Sequence, residues 1–169
     1  MSSLLFIGDI CANDYNLNDC STFEKSNLYH FLSKYNGKII GNLEAPILEE
    51  TINKCESKYS LLNPLSNKIF FNFCNVVTLA NNHIFDQGIE GYYATIKSLE
   101  NMNIQHLGAG ENLEYARAPI ILKVGNYNIA LLSYNCYSTN SLMNADSSNY
   151  GTAPLLFDFI ENDINKIKK

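Results

Sequence analysis

The chain has 169 residues, 46% apolar and 17% charged, and a formal net charge of −5. Such a length and composition suit one domain with a buried core and exclude an intrinsically disordered chain. The acidic balance, with no long cluster of Lys or Arg, argues against a nucleic-acid partner, which favours a basic face.

Taken in order, the first element is Leu4-Leu5-Phe6-Ile7, an apolar run closed by Gly8-Asp9 that reads as a buried strand. Ser21 and Glu24 have the spacing of a capping box. They predict a helix that carries Leu28, Phe31 and Leu32 on one stripe and stops at Gly37. Lys38–Ile40 begins a second strand, which runs through Gly41-Asn42-Leu43 to Glu44. Residues 45–67, with Pro46, Pro64 and many Asn and Ser, read as a loop. Cys74–Ala80 reads as another buried strand, followed by a helix over Glu90–Asn101 with Tyr93, Ile96 and Leu99 on one face. His106-Leu107 is a short strand running into Gly108-Ala109-Gly110-Glu111-Asn112. Gly125-Asn126, between Pro119–Val124 and Tyr127–Tyr134, is a two-residue hairpin signal. A polar stretch, 138–149, precedes a last helix over Ala153–Lys169. This alternation predicts an α/β fold with an antiparallel hairpin added late.

Five scattered cysteines (Cys11, Cys20, Cys55, Cys74, Cys136) contain no CxxC pair, so they read as reduced thiols, with Cys74 and Cys136 facing the core. Neither a signal peptide nor a transmembrane helix is evident, which makes a cytoplasmic location the default expectation.

The chemistry concentrates where strands end. Asp9 closes the first strand, Glu44 the second, and Asn82-His83 follow the third, with Asp86 three residues beyond His83. Ligands of open α/β sheets bind at the C-terminal ends of the strands. Each residue also has a plainer reading: Asp9 as a turn or cap, Glu44 as a loop carboxylate, and Asn81-Asn82-His83 as the cap of the next helix. Against these stands the cost of a carboxylate beside a buried run without a cation. Amide and carboxylate oxygens suit hard cations, and imidazole suits Zn, Fe or Mn. A contact from Asp86 would fix the tautomer of His83 and prepare it to move a proton. Gly108-Ala109-Gly110 lacks the third glycine of a dinucleotide fingerprint and the Lys of a P-loop, so it reads as a tight turn that brings Asn112 toward the crevice. His30 and His106 read as ordinary packed or surface residues, and Cys11 as a structural cysteine.

Together, Gly8-Asp9, Asn42-Leu43-Glu44-Ala45-Pro46, Leu79-Ala80-Asn81-Asn82-His83-Ile84-Phe85-Asp86-Gln87-Gly88 and Gly108–Asn112 through Ala116-Arg117-Ala118-Pro119 resemble the CapA family, associated with poly-gamma-glutamate capsules. The resemblance implies a layered α/β sandwich of the calcineurin-like metallophosphoesterase type. It implies divalent metals of the Mn, Fe or Zn type, two in a complete domain. Asp9 would be a terminal ligand, Glu44 the bridge and Asn82 the ligand of the second metal. His83 would be the proton donor, held by Asp86, in a two-metal in-line displacement. Cys11 stands where the wider superfamily often has a histidine, and no histidine follows His106. The expectation is therefore a single domain over 1–169, the N-terminal portion of a CapA-like domain incomplete at its C-terminus, with weak or absent metal binding alone. Its partners would be components of a capsule-synthesis machinery. The alternative is a non-catalytic remnant or assembly component of such a system.

Overall fold

The computed structural model describes residues 3–12, 17–49, 61–138 and 143–168. Cys55 and positions 50–60 of the expected loop lie outside the described residues. Strand β1 spans Leu4–Ile10, followed by helices α1 (Leu17–Glu24) and α2 (Asn27–Ser33) and by strand β2 (Lys38–Leu43). Two short strands, β3 (Ile47–Leu48) and β4 (Asn63–Pro64), precede a 3-10 turn over Leu65–Phe70. Next come β5 (Val76–Thr78), α3 (Gly88–Asn101), β6 (Gln105–Leu107), β7 (Ala109–Gly110) and α4 (Leu113–Ala116). The hairpin β8 (Ile120–Val124) and β9 (Tyr127–Leu131), then β10 (Gly151–Thr152) and α5 (Phe157–Ile167), complete the order.

The central sheet has the strand order β1-β2-β5-β6, and every pair in it is parallel. Strand side chains alternate between faces, so neighbouring apolar residues serve two cores. Ile39, Leu43 and Val77 pack on one face with Leu32, Phe71, Leu79, Ile84 and Leu99. Ile40, Val76 and Leu107 pack on the other against Leu122, Val124 and Leu131 of the hairpin. The result is a layered α/β fold with its parallel sheet covered on both sides, which is why the strands read as continuous apolar runs. At Gly41 a Cβ would meet Ile10 Cδ1 at 2.5 Å, so a larger residue there would make the Ile10 side chain move. Gly108 has φ +96°, a left-handed conformation that turns the chain from β6 into β7.

Several expected elements differ. The first strand continues through Asp9 to Ile10, with a register shift between Phe6 and Asp9. The helix foreseen from Ser21 to Gly37 is two helices, and Ser21 lies inside the first. The cap is Ser26, whose hydroxyl accepts the Tyr29 N–H at 3.1 Å and so competes with continuation of the helix. Only Leu32 of the foreseen stripe is buried; Leu28 and Phe31 are more than half exposed. The buried side of α3 carries Gly91, Tyr92, Thr95 and Leu99; of the foreseen face Leu99 is buried, Ile96 packs partly buried against the core, and Tyr93 is exposed. Thr95 is a polar residue in a core position because its hydroxyl donates to Gly91 O and accepts the Ile47 N–H at 2.8 Å. The hairpin strands stop short of Pro119 and Tyr134, while the Val124–Tyr127 pair closes the turn as foreseen. Gly151–Thr152 pairs antiparallel with β7, so the last helix starts at Phe157 rather than Ala153.

Cys74 is buried, and burial pushes its thiol up to about 12. Cys136 is exposed, contrary to expectation, because the chain leaves the sheet after Leu131. Among the described residues, no helix is long and apolar enough to cross a membrane.

Candidate functional site

Register assembles the site. Asp9 is paired with Asn42 across β1 and β2, and Asn42 with Thr78 across β2 and β5. These three polar residues therefore form one lateral row near the C-terminal ends of adjacent parallel strands. Asn42 is its hub. Its amide oxygen accepts from Thr78 Oγ1 at 3.0 Å and from Asn81 Nδ2 at 3.1 Å. Those two donors fix which way the amide faces, and its Nδ2 donates to Asp9 Oδ1 at 2.8 Å and Glu44 Oε2 at 2.5 Å. Two carboxylates thus converge on a single nitrogen.

Glu44 is half-buried, and burial raises its carboxyl above the ordinary glutamate range; the nearby charge of Asp9 raises it further. His83 and the hydrogen bond from Asn42 oppose that rise, while Asp86 adds to it more weakly.

The third arm is a turn over 81–87 between β5 and α3. Asn81 builds it: Oδ1 accepts the backbone N–H of His83 and Ile84, and Nδ2 donates to Leu43 O at 2.8 Å. That last bond ties the turn to the end of β2. His83 Nδ1 lies 2.8 Å from Asp86 Oδ2, which also accepts the Leu61 N–H at 2.7 Å. An ionised carboxylate can only accept, so against one Nδ1 is the donor of this pair. Asn82 sits partly exposed in the same turn, between Asn81 and His83. The helix that follows has Gln87 at its cap position with no side-chain capping bond, so the Asn81-Asn82-His83 group is not the cap of α3.

Asp9 and Glu44 are therefore brought together on Asn42, His83 is joined to Asp86 in the adjoining turn, and Asn82 lies beside His83 in the chain. Among the described residues, no three His, Cys, Asp or Glu side chains are grouped closely enough to hold one ion by themselves. Sequence reasoning missed Asn42, Thr78 and Asn81 as working parts. Asn42 had a signal: a polar residue two before Glu44 in a strand shares its face. Gly108-Ala109-Gly110 is a turn and a short strand, and Asn112 caps α4 by accepting from the N–H groups of Glu114 and Tyr115.

The model of the bacterial capsule synthesis protein PGA_cap family matches residues 3–168. The chain belongs to that family. Among PGA_cap-like relatives, the Bacillus anthracis capsule biosynthesis protein CapA is 34% identical over 59 residues, 35% of this chain and 14% of that protein. A Mycobacterium tuberculosis protein named a probable polyglutamine synthesis accessory protein is 42% identical over 52 residues, 31% of this chain and 14% of its own length. An uncharacterized Sinorhizobium fredii protein is 35% identical over 80 residues, 47% of this chain and 17% of that protein. The matched segments thus span less than a fifth of each of these relatives. Membership in the PGA_cap family and the layered α/β fold both agree with the resemblance to CapA read from the strand-end motifs.

Proposed function

We propose that the strand ends of this capsule-synthesis family member form a divalent-metal site of the metallophosphoesterase type, working in the assembly of a capsule or polyglutamate polymer. The observation that carries this reading is the pair of carboxylates, Asp9 and Glu44, held on the one amide nitrogen of Asn42. The raised carboxyl of Glu44 supports it, since a group that is costly to ionise in place is one that a cation would stabilise.

The donor set suits such an ion. Asp9, Glu44 and the amide of Asn82 would hold it through oxygen, which matches a hard or borderline divalent cation. A bound ion of this kind supplies Lewis-acid polarisation of a phosphoryl oxygen. The chain's own residues do the rest. Asn42 orients both carboxylates, Asp86 fixes the tautomer of His83, and His83 moves a proton at Nε2 to the leaving oxygen.

Calorimetric titration with Mn2+ tests the reading, together with hydrolysis of bis-p-nitrophenyl phosphate. Saturable heat in the wild type that disappears in Asp9→Asn supports a metal site. Turnover lost in His83→Ala, with the fold retained by circular dichroism, assigns the proton to His83. Absence of any Mn2+ heat sinks the metal reading. A second reading is an assembly component without turnover, in keeping with the name of the relative called a synthesis accessory protein. Mn2+ binding without hydrolysis would select it.

A further inference from the structure

The stretch Leu61–Asn67 reads as loop in the sequence, yet it touches every arm of the candidate site. Asn63 is fully buried and uses both ends of its amide. Oδ1 accepts the Ala12 N–H at 2.6 Å, and Nδ2 donates to Ala45 O at 2.8 Å. Its backbone N–H donates to Pro46 O at 2.7 Å. Ala12 lies on the exit from β1 just past Asp9, and Ala45 directly follows Glu44. Asn67, also buried, donates from Nδ2 to Ala12 O at 3.1 Å and accepts from the Cys20 thiol at 3.3 Å. At the other end of the segment, the Leu61 N–H holds Asp86 Oδ2 at 2.7 Å.

We infer that Asn63 is a positioning residue that sets the separation of the Asp9 and Glu44 arms, with Leu61–Asn67 as a strap tying the His83–Asp86 pair to the same frame. The inference rests on the metal reading above for its purpose, but its geometry stands without it. The β1 and β2 exits are also joined directly, through Glu44 N–H to Ile10 O at 3.1 Å. The Asn63 amide adds a second, lateral tie one step farther out. Two ties at different depths fix an angle as well as a distance. A buried amide satisfied at both ends cannot slide without leaving a polar group unpaired, so it holds its neighbours to a narrow geometry. Residues that orient ligands in this way commonly change metal affinity about 10–100-fold when altered.

The test uses the full chain and Asn63→Asp, which keeps the acceptor for Ala12 but sets an oxygen against Ala45 O. Amide hydrogen exchange and Mn2+ calorimetry are run on both proteins. The expected result is exchange about tenfold faster at the N–H groups of Ala12, Glu44 and Leu61, with Leu99 in α3 unchanged, and Mn2+ affinity lower by about 10–100-fold. Faster exchange confined to Ala12, with Glu44 and Leu61 as in the wild type, overturns the strap. If the exchange pattern appears but Mn2+ affinity is unmoved, Asn63 is a loop anchor and the positioning role is overturned. A wild type that takes up no Mn2+ refutes the metal reading, while the exchange pattern still decides the strap. Should Asn63→Asp fail to fold, Asn67→Ser replaces it. Faster exchange at Ala12 and Glu44 then supports the proposal, and unchanged exchange there in a folded protein overturns it.

Discussion

Two polar networks among the described residues, one part-buried beside a helix and one at the strand ends, balance their charge differently. Near α5, Arg117 forms a two-pronged pair with Asp163, from Nε at 2.9 Å and from the terminal nitrogen at 2.7 Å. Tyr134 donates to the same carboxylate at 2.9 Å, and the guanidinium lies 4.0 Å from the centre of the Phe159 ring. Every charge there has its opposite, and the network joins α5 to the segment after α4. At the strand ends, Asp9 and Glu44 share a neutral amide, and burial, with the charge of Asp9, raises the Glu44 carboxyl above its ordinary range. The first arrangement is complete as an architectural joint. In the second, two carboxylates meet on one neutral nitrogen, and the metal reading proposes that a cation completes the arrangement.

The contrast can be broken most sharply at the joint. Arg117→Met leaves Asp163 buried without its partner and should cost about 3–5 kcal/mol in urea unfolding, whereas replacing both partners by apolar residues should recover most of that loss. Mn2+ affinity in a folded double variant should match the wild type, because the joint is not part of the metal site. At the strand ends the expected effect has the opposite origin. Mn2+ at about 100 times its Kd should stabilise the wild type by about 2.7 kcal/mol and leave Asp9→Asn unmoved in a thermal melt. A smaller effect separates the hub from its support. Thr78→Val removes one hydroxyl donor to Asn42 Oδ1 at nearly constant volume and should cost about 0.5–1.5 kcal/mol in unfolding.

The smallest expected effect concerns a group in neither network. His106 is half-buried, its Nδ1 has no hydrogen-bond partner among the described residues, and burial lowers its pKa, with Glu100 opposing. The fold therefore favours the neutral ring. As pH falls below about 6.5 the unfolded chain takes up a proton before the folded one does, so stability falls with pH in that window. His106→Leu should flatten the stability profile between about pH 6.5 and the lowered folded value, as read from urea midpoints. An unchanged slope would mean that the ring is protonated equally in both states.

Much of the fold was legible because it rests on local pattern. The runs around Ile39, Val76 and Leu122 could only be strands, and Gly125-Asn126 could only join two of them closely. The contact of His83 with Asp86 was foreseen from a spacing of three, which one turn can close. The break at Ser26 was not legible, because Ser21 offered an equally good local signal. The inward face of α3 was hidden for a different reason: Thr95 counts as polar until its hydroxyl is seen to be satisfied by Gly91 and Ile47.

By itself, then, the sequence determined the main strands of the sheet and the late hairpin, the places of Asp9, Glu44 and His83 at or just after three of those strands, and the family to which the chain belongs. The tertiary structure alone decided that Asp9, Asn42 and Thr78 stand in one row and that Asn42 turns its nitrogen toward two carboxylates. It also decided that Asn63, in what reads as a loop, grips the exits of both strands. Strand register and the closure of a distant segment onto them are relations between residues far apart in the chain. No local periodicity encodes such relations, because the hydrogen bonds that fix them form only once the two sides have been brought together.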